Sequence, residues 1–357
     1  MKLAALGWDE SFAAAFAPHA AAGLQPARVI CELKHAYALH TGHDEILGEC
    51  TGRLLHTAAS RADLPAVGDW VAARPRAADP RRVDIHAVLP RRTKFSRREP
   101  HEPGVEQIIA ANVDTVFLVS ALDAEFNLRR IERYLAVAWE SGAQPVIVLN
   151  KSDLCPATDA RHLEVEAIAP GVPVVALSAG TGNGFAQLRP WLKQGRTLAL
   201  LGSSGVGKST LVNLMMRDDV QVTQETRSAD DKGRHTTARR ELFVAPSGML
   251  IIDTPGLREL QIWEADIGDT FADIAELAAR CKFRDCTHGP EPGCAVRAAL
   301  EGGVLDAGRW TSFQKLAREQ AFVARQTDRR AAQANKAKWK KLHLGLRARL
   351  RIEHGGD

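Results

Sequence analysis

The chain has 357 residues, 45% hydrophobic and 25% charged, with a net charge of +4. These are ordinary values for a soluble globular protein with room for two or three domains of about 100–200 residues each. No run of about 18 apolar residues occurs, and no basic flank leads into a continuous apolar stretch at the start, so neither a membrane span nor a signal peptide is expected. Cys31, Cys50 and Cys155 are isolated in sequence, while Cys281, Cys286 and Cys294 lie close together. This usage predicts a reducing, cytoplasmic setting and no disulfide framework.

Residues 1–26 are Ala-rich, interrupted by Asp9, Glu10 and Pro18, and match no motif; they read as an N-terminal extension. Residues 27–99 read as a small β-barrel. Strands are expected at Ala27–Lys34, Glu45–Leu55, Asp69–Ala73 and Val83–Val88, with Gly42, Gly48, Gly52, Pro65, Gly68 and Pro80 between them. The run 91–98 holds Arg91, Arg92, Lys94, Arg97 and Arg98 without an acid, and is a candidate contact for a polyanion or a solvated face. Residues 100–112 read as a linker.

From there to about residue 265 strands and helices alternate, which predicts a parallel sheet covered on both faces. The strands are Val113–Val119, Pro145–Leu149, Val172–Leu177, Thr197–Leu201 and Met249–Ile252, and a helix capped by Asn127 is stopped by Gly142. The remainder, 266–357, is helical and basic. Between Arg325 and Arg351 ten Lys or Arg face a single acid, Asp328, and Trp339 either stacks on a base or anchors the tail helix.

The chemistry lies in five short motifs. Gly202, Ser203, Ser204, Gly205, Val206, Gly207, Lys208 and Ser209, followed by Thr210, form a phosphate-binding loop between a strand and a helix. Its glycines let backbone N–H groups curl around phosphates, Lys208 reaches the β- and γ-phosphates, and Ser209 binds Mg²⁺. Asn150, Lys151 and Asp153 follow a hydrophobic strand; the Asp153 carboxylate can accept from guanine N1–H and the 2-amino group, which adenine does not offer together. Ser178 and Ala179 place a backbone N–H near guanine O6. Asp253 opens Asp253-Thr254-Pro255-Gly256, where Asp253 reaches Mg²⁺ through water and the Gly256 N–H meets the γ-phosphate. The polar segment Lys232–Thr237 is a mobile loop, in which Thr237 or Thr236 is the further Mg²⁺ ligand. Leu257 stands where many GTPases carry a water-orienting glutamine. His235 is then the local candidate for catalysis, with a plain loop histidine as the alternative.

The base motif precedes the phosphate loop, the reverse of the usual order. One rotation of the set accounts for all five motifs, so the domain is a circularly permuted GTPase. Cys281-x4-Cys286-x-His288-x5-Cys294 supplies three thiolates and an imidazole, the ligand set of one closed structural Zn²⁺ site.

On the permuted order, the Gly-Arg-His-Thr-Thr segment, the Asp-Thr-Pro-Gly-Leu motif and the Cys/His spacing, the chain resembles the bacterial ribosome small subunit-dependent GTPase A family over nearly its whole length. The resemblance implies an OB-fold at 27–99, a permuted GTPase domain at 100–265 and a helical zinc domain with a basic tail at 266–357. It further implies binding to the small (30S) ribosomal subunit and its 16S rRNA late in maturation. Hydrolysis of GTP to GDP would be slow alone and stimulated by the subunit, with His235 catalytic. Nothing demands more than a monomer. A P-loop ATPase or kinase, an RNA-binding protein with a weak nucleotide site, and a permuted GTPase of the large subunit are the competing readings.

Overall fold

The computed structural model describes residues 2–99, 102–218, 241–253, 270–289, 291–322 and 325. His235, Thr236, Thr237, Gly256, Leu257, Trp339 and the tail beyond Arg325 lie outside them.

The first 26 residues are not a detached extension. A turn at Leu3–Leu6 leads into helix α1 (Glu10–Ala21), whose N-terminus is capped by Asp9 through the Ser11 and Phe12 N–H groups. Leu6, Phe12 and Phe16 are buried, and Trp8 packs edge-on against Trp70 with centroids 4.7 Å apart. The segment resembled no motif because its information is a set of spaced apolar side chains that acquire meaning only against the barrel.

Strands β1 (Gln25–Glu32), β2 (Tyr37–His40), β3 (Glu45–Cys50), β4 (Trp70–Arg76) and β5 (Asp79–Val88) form the barrel in the order β1-β2-β3-β5-β4, with β4 closing on β1. It is an OB-like five-stranded barrel filled by Ala27, Val29, Leu39, Val71, Ala73, Val83 and Ile85. The expected strand Glu45–Leu55 ends early. Thr51 caps helix α2 (Gly52–Thr57) by accepting from the Leu54 N–H, so local capping overrides the apolar pattern.

The expected linker 100–112 is largely strand. β6 (Lys94–Glu99) and β7 (Glu102–Ala111) form an antiparallel hairpin in which Phe95 faces Ala110 and Arg97 faces Gln107. Ile108, Ile109, Ala110 and Ala111 are buried. Strand pairing with β6 and burial of the apolar run Ile108–Ala111 make this segment a strand.

Most of the basic run also has partners within the protein. Arg91 donates to Asp69 at 2.7 Å and to the Ala62 and Leu64 carbonyls. Arg92 pairs with Asp9 and lies over the Phe12 ring, while Lys94 reaches Glu106 at 2.8 Å and Arg97 reaches Gln107 at 2.9 Å. Four of the five cations therefore have partners within the protein, although Arg92 and Lys94 keep exposed side chains.

The central sheet comprises β8 (Thr115–Ala121), β9 (Gln144–Asn150), β10 (Val174–Ala176), β11 (Thr197–Leu201), β12 (Glu241–Val244) and β13 (Leu250–Asp253). Their order is β10-β9-β8-β11-β13-β12, parallel except for β12. Alternate residues face opposite layers: Val116 and Leu118 join one core, Phe117 and Val119 the other. α3 (Leu128–Ser141), capped by Asn127 and ended by Gly142 at φ +79°, and α4 (Thr158–Ile168) cover the first face. α5 (Lys208–Asp218) covers the second. Cys31 of β1 pairs with Glu241 of β12, so barrel and central sheet are hydrogen-bonded together. C-terminally, α6 (Ala272–Ala279) packs with α7 (Ala295–Glu301), and a helix α8 over 307–322 joins α3 through Arg309–Glu132 and Arg133–Glu319. No described helix is long and apolar enough to cross a membrane.

Asp69 is fully buried, and burial pushes its carboxyl above the usual range while Arg91 opposes the shift. Removing one partner of such a pair leaves an uncompensated charge. Arg91→Ala is therefore expected to destabilise the protein by about 3 kcal/mol, read by denaturant unfolding; a change below about 0.5 kcal/mol, typical of a surface substitution, would contradict the buried-pair reading.

Candidate functional site

The motifs converge because parallel strands end on one edge. β8, β9, β11 and β13 run in the same direction, with Leu201 beside Leu118, Asn150 beside Ala121 and Ile252 beside Ala199. The phosphate loop after β11, the base motif at the end of β9, Ser178 after β10 and Asp253 at the end of β13 thus share the carboxyl edge, where open α/β sheets bind ligands.

Asn150 locks three motifs together. It is only 2% exposed; its side-chain NH₂ donates to the Val206 carbonyl at 2.8 Å, and its Oδ1 accepts from the Ala179 N–H at 2.8 Å. A side chain at Gly207 would bring its Cβ to 2.1 Å from Asn150 Nδ2, and Gly207 has φ +97°, so this approach requires glycine. Two hydrogen bonds to buried backbone groups are lost together if Asn150 is shortened.

Lys151 occupies the left-handed region at φ +62° and its ammonium reaches Asp123 Oδ2 at 2.8 Å. Lys151 holds the Asp123 carboxyl below the usual carboxylate range. Asp153 stands exposed on the turn Ser152–Leu154, open to a base. Ser178 is buried, its N–H donating to the Asn183 carbonyl at 2.9 Å, which holds the Ser178-Ala179 turn. Within the phosphate loop, Lys208 Nζ donates to the Gly202 and Ser203 carbonyls at 2.7 and 2.6 Å. Gly205 has φ +80°, and Ser204, Ser209 and Thr210 are exposed at the mouth of the loop and the start of α5. The arrangement offers backbone donors, one ammonium and a helix N-terminus to an anion.

Two residues near the site escaped the sequence reading. Asp123 follows β8 at the same carboxyl edge. Arg130, in the first turn of α3, donates to Ser203 Oγ at 3.0 Å. Neither belongs to a motif; the signal that would have found them is position, since both follow a strand that ends at the site.

The Cys/His cluster is assembled. The ligand atoms of Cys281, Cys286, His288 and Cys294 all lie within 4.8 Å of one another. His288 Nδ1 is 3.6 Å from both Cys281 and Cys294 Sγ, and those sulfurs are 4.0 Å apart. Tetrahedral Zn²⁺, with bonds of about 2.3 Å to sulfur and 2.0–2.1 Å to nitrogen, requires S···S near ~3.8 Å and S···N near ~3.5 Å. The cluster fits that ion. The His288 ring packs edge-on against Trp310, which stacks on Phe313, and Phe313 meets Phe271. The cluster thereby braces α8 against α6.

Comparison with known proteins agrees with this geometry. The RsgA GTPase family model matches residues 88–263. An ABC transporter model matches 186–348, a span that contains the phosphate loop but not Asn150, Lys151 or Asp153. The small ribosomal subunit biogenesis GTPase RsgA of Opitutus terrae is 56% identical across 99% of each chain, and that of Syntrophotalea carbinolica 44% across 99% of each. Among solved structures, YjeQ from Thermotoga maritima is 27% identical with a TM-score of 0.61, covering 83% of this chain and 98% of its own. YloQ, a circularly permuted GTPase, is 25% identical with a TM-score of 0.56, covering 86% and 96%. With its motifs closed into one site in permuted order and its relatives matched from end to end, the chain belongs to the RsgA GTPase family and is a GTP hydrolase.

Proposed function

We propose that this GTP hydrolase acts in biogenesis of the small ribosomal subunit, binding the subunit in its GTP form and hydrolysing GTP faster there. The observation that carries the nucleotide site is Asn150, which joins the base motif, the Ser178-Ala179 turn and the phosphate loop by two 2.8 Å hydrogen bonds. The names of the relatives support the subunit as target.

In this reading Asp153 reads guanine, Lys151 lies along the base and the Ala179 side of the turn faces O6. Gly202 to Thr210 cradle the phosphates, with Lys208 on the β- and γ-phosphates. Ser209, Asp253 and Thr237 or Thr236 would hold Mg²⁺, which would neutralise charge developing on the phosphates. Gly256 meets the γ-phosphate and His235 positions or activates water. Leu257 cannot orient water, so docking has to arrange the loop that carries His235. Zn²⁺ held by Cys281, Cys286, His288 and Cys294 is structural, because four protein ligands leave no open position. The barrel, the zinc domain and the basic tail form the RNA-facing side, and the protein acts as a monomer. Since Arg91, Arg92, Lys94 and Arg97 have internal partners, the tail carries more of the phosphate contact than the 91–98 run.

GTP turnover by the purified chain is expected to rise at least about tenfold with small subunits and not with large ones, and ATP is expected to be a poor substrate; equal rates in every mixture would sink the coupling. Asp153→Asn is expected to lower the preference for GTP over ATP by about 100-fold or more, because the two guanine donors then lose their acceptor. An unchanged preference would reject the base assignment. For the metal, the expected content is about one zinc per chain, and Cys286→Ser is expected to lose most of it and to melt the C-terminal domain early. Full metal retention would reject this ligand set.

A further inference from the structure

We propose that Arg130 is a positioning residue for the phosphate loop, and that α3 carries the attachment of the C-terminal domain to that loop. The inference rests on the reading of Gly202–Ser209 as the nucleotide site and adds how that site is held.

Ser203 is gripped from two sides. Arg130 Nη1 donates to its Oγ at 3.0 Å, and Lys208 Nζ donates to its carbonyl at 2.6 Å. The Arg130 guanidinium also donates to the Glu125 carbonyl at 3.4 Å and stands 3.8 Å from the exposed Glu125 carboxylate. A movement of Arg130 therefore shifts the peptide that orients Lys208. Arg130 acts through Ser203 and need not touch the nucleotide.

The residues around Arg130 on the same helix hold the C-terminal domain. Arg129 pairs with Asp306 and donates to Glu132 Oε1 at 2.6 Å. Glu132 is fully buried, and its Oε1 also accepts from Arg309 at 2.8 Å, while its Oε2 has no hydrogen-bond partner among the described residues. Arg309 continues to Asp273 at 2.8 Å and to the Thr270 carbonyl at 2.9 Å. Arg133 makes a two-pronged pair with Glu319 at 2.7 and 2.8 Å. A buried carboxylate held by two guanidinium groups cannot lose one without large cost, so α3 and the C-terminal domain move as a unit. A helix is stiff over one turn, and any displacement at Arg133 is passed to Arg130, three residues away. Docking forces on the C-terminal domain, which is braced by the Cys/His cluster, thus have a covalent and hydrogen-bonded route to Ser203.

The test is a double-mutant cycle on the full zinc-loaded chain, read by the affinity for a fluorescent GDP, with zinc content and melting temperature confirming the fold. Arg130→Ala is expected to weaken GDP binding about tenfold by freeing Ser203, and Arg130→Lys to recover part of it, since an ammonium can still donate to Ser203 Oγ. Glu319→Ala, remote from the nucleotide, is expected to weaken binding about threefold when Arg130 is present and to have no effect in the Arg130→Ala background. Glu319→Gln, which keeps the shape, is the second variant should Glu319→Ala fail to fold. Unchanged affinity in Arg130→Ala would overturn the positioning role. Equal effects of the Glu319 change in both backgrounds would overturn the route through α3. Wild-type protein that bound no GDP would instead reject the nucleotide site, and the inference with it.

Discussion

A guanidinium buried among neutral oxygens is the constraint on which the architecture depends. Arg28, in β1 of the barrel, is 1% exposed and donates to the carbonyls of Leu6, Gly68 and Asn112 and to Thr197 Oγ1. Trp70 lies 5.6 Å from its centre of charge. These groups belong to the N-terminal turn, the turn before β4, the end of the β6–β7 hairpin and the first residue of β11. No carboxylate is within ion-pair distance among the described residues, and burial pushes its pKa down to about 10, still protonated at neutral pH. Desolvating the charge costs several kcal/mol, so each acceptor must stay in place. The barrel is consequently fixed to the strand that ends in the phosphate loop.

Gly68 shows how tight that junction is. Its φ is +93°, and a Cβ there would sit 2.1 Å from the Ala111 carbonyl oxygen. The turn presents its carbonyl to both Arg28 and the Asn112 amide. Beside it, Thr197 gives its N–H to Asp114 at 2.7 Å, and Asp114 pairs with Arg196. Barrel, hairpin and central sheet thus meet at one polar knot surrounded by Leu6, Phe12, Trp70 and Ile109. At the opposite end of β11, Asn150 closes the functional edge in the same manner, with a buried side-chain amide satisfying backbone groups of two loops. In both places a polar side chain in a low-dielectric setting selects one geometry, because a half-satisfied arrangement is costly.

The third attachment is the C-terminal domain on α3. Aromatic packing from His288 through Trp310 and Phe313 to Phe271 gives it an apolar body, and Arg309 lies 4.9 Å over the Phe271 ring while binding Glu132 and Asp273. Cations on both α3 and α8 are thereby used internally. The same holds for the 91–98 run, and it separates two kinds of basic cluster: one that closes a hairpin against a barrel, and one, from Arg325 onward, with few acids near it in sequence.

The GTPase class was legible in the sequence because short motifs carry it locally. A phosphate loop needs glycines at fixed spacing, a base motif needs its carboxylate after a buried strand, and a zinc site needs its thiolates a few residues apart. Their permuted order alone identified the central domain, and the alternating apolar strands predicted its sheet. The tertiary structure decided what local pattern cannot hold. Leu6, Phe12 and Phe16 became core because they found the barrel, residues 102–111 became a strand because β6 was there to pair with, and Arg91, Arg92 and Lys94 gained internal partners because Asp69, Asp9 and Glu106 lay opposite. Arg28, Asp123 and Arg130 likewise have roles set by partners 28 to 169 residues away. Local motifs specify chemistry that a few adjacent residues perform; burial and charge pairing are properties of surfaces that only folding brings together.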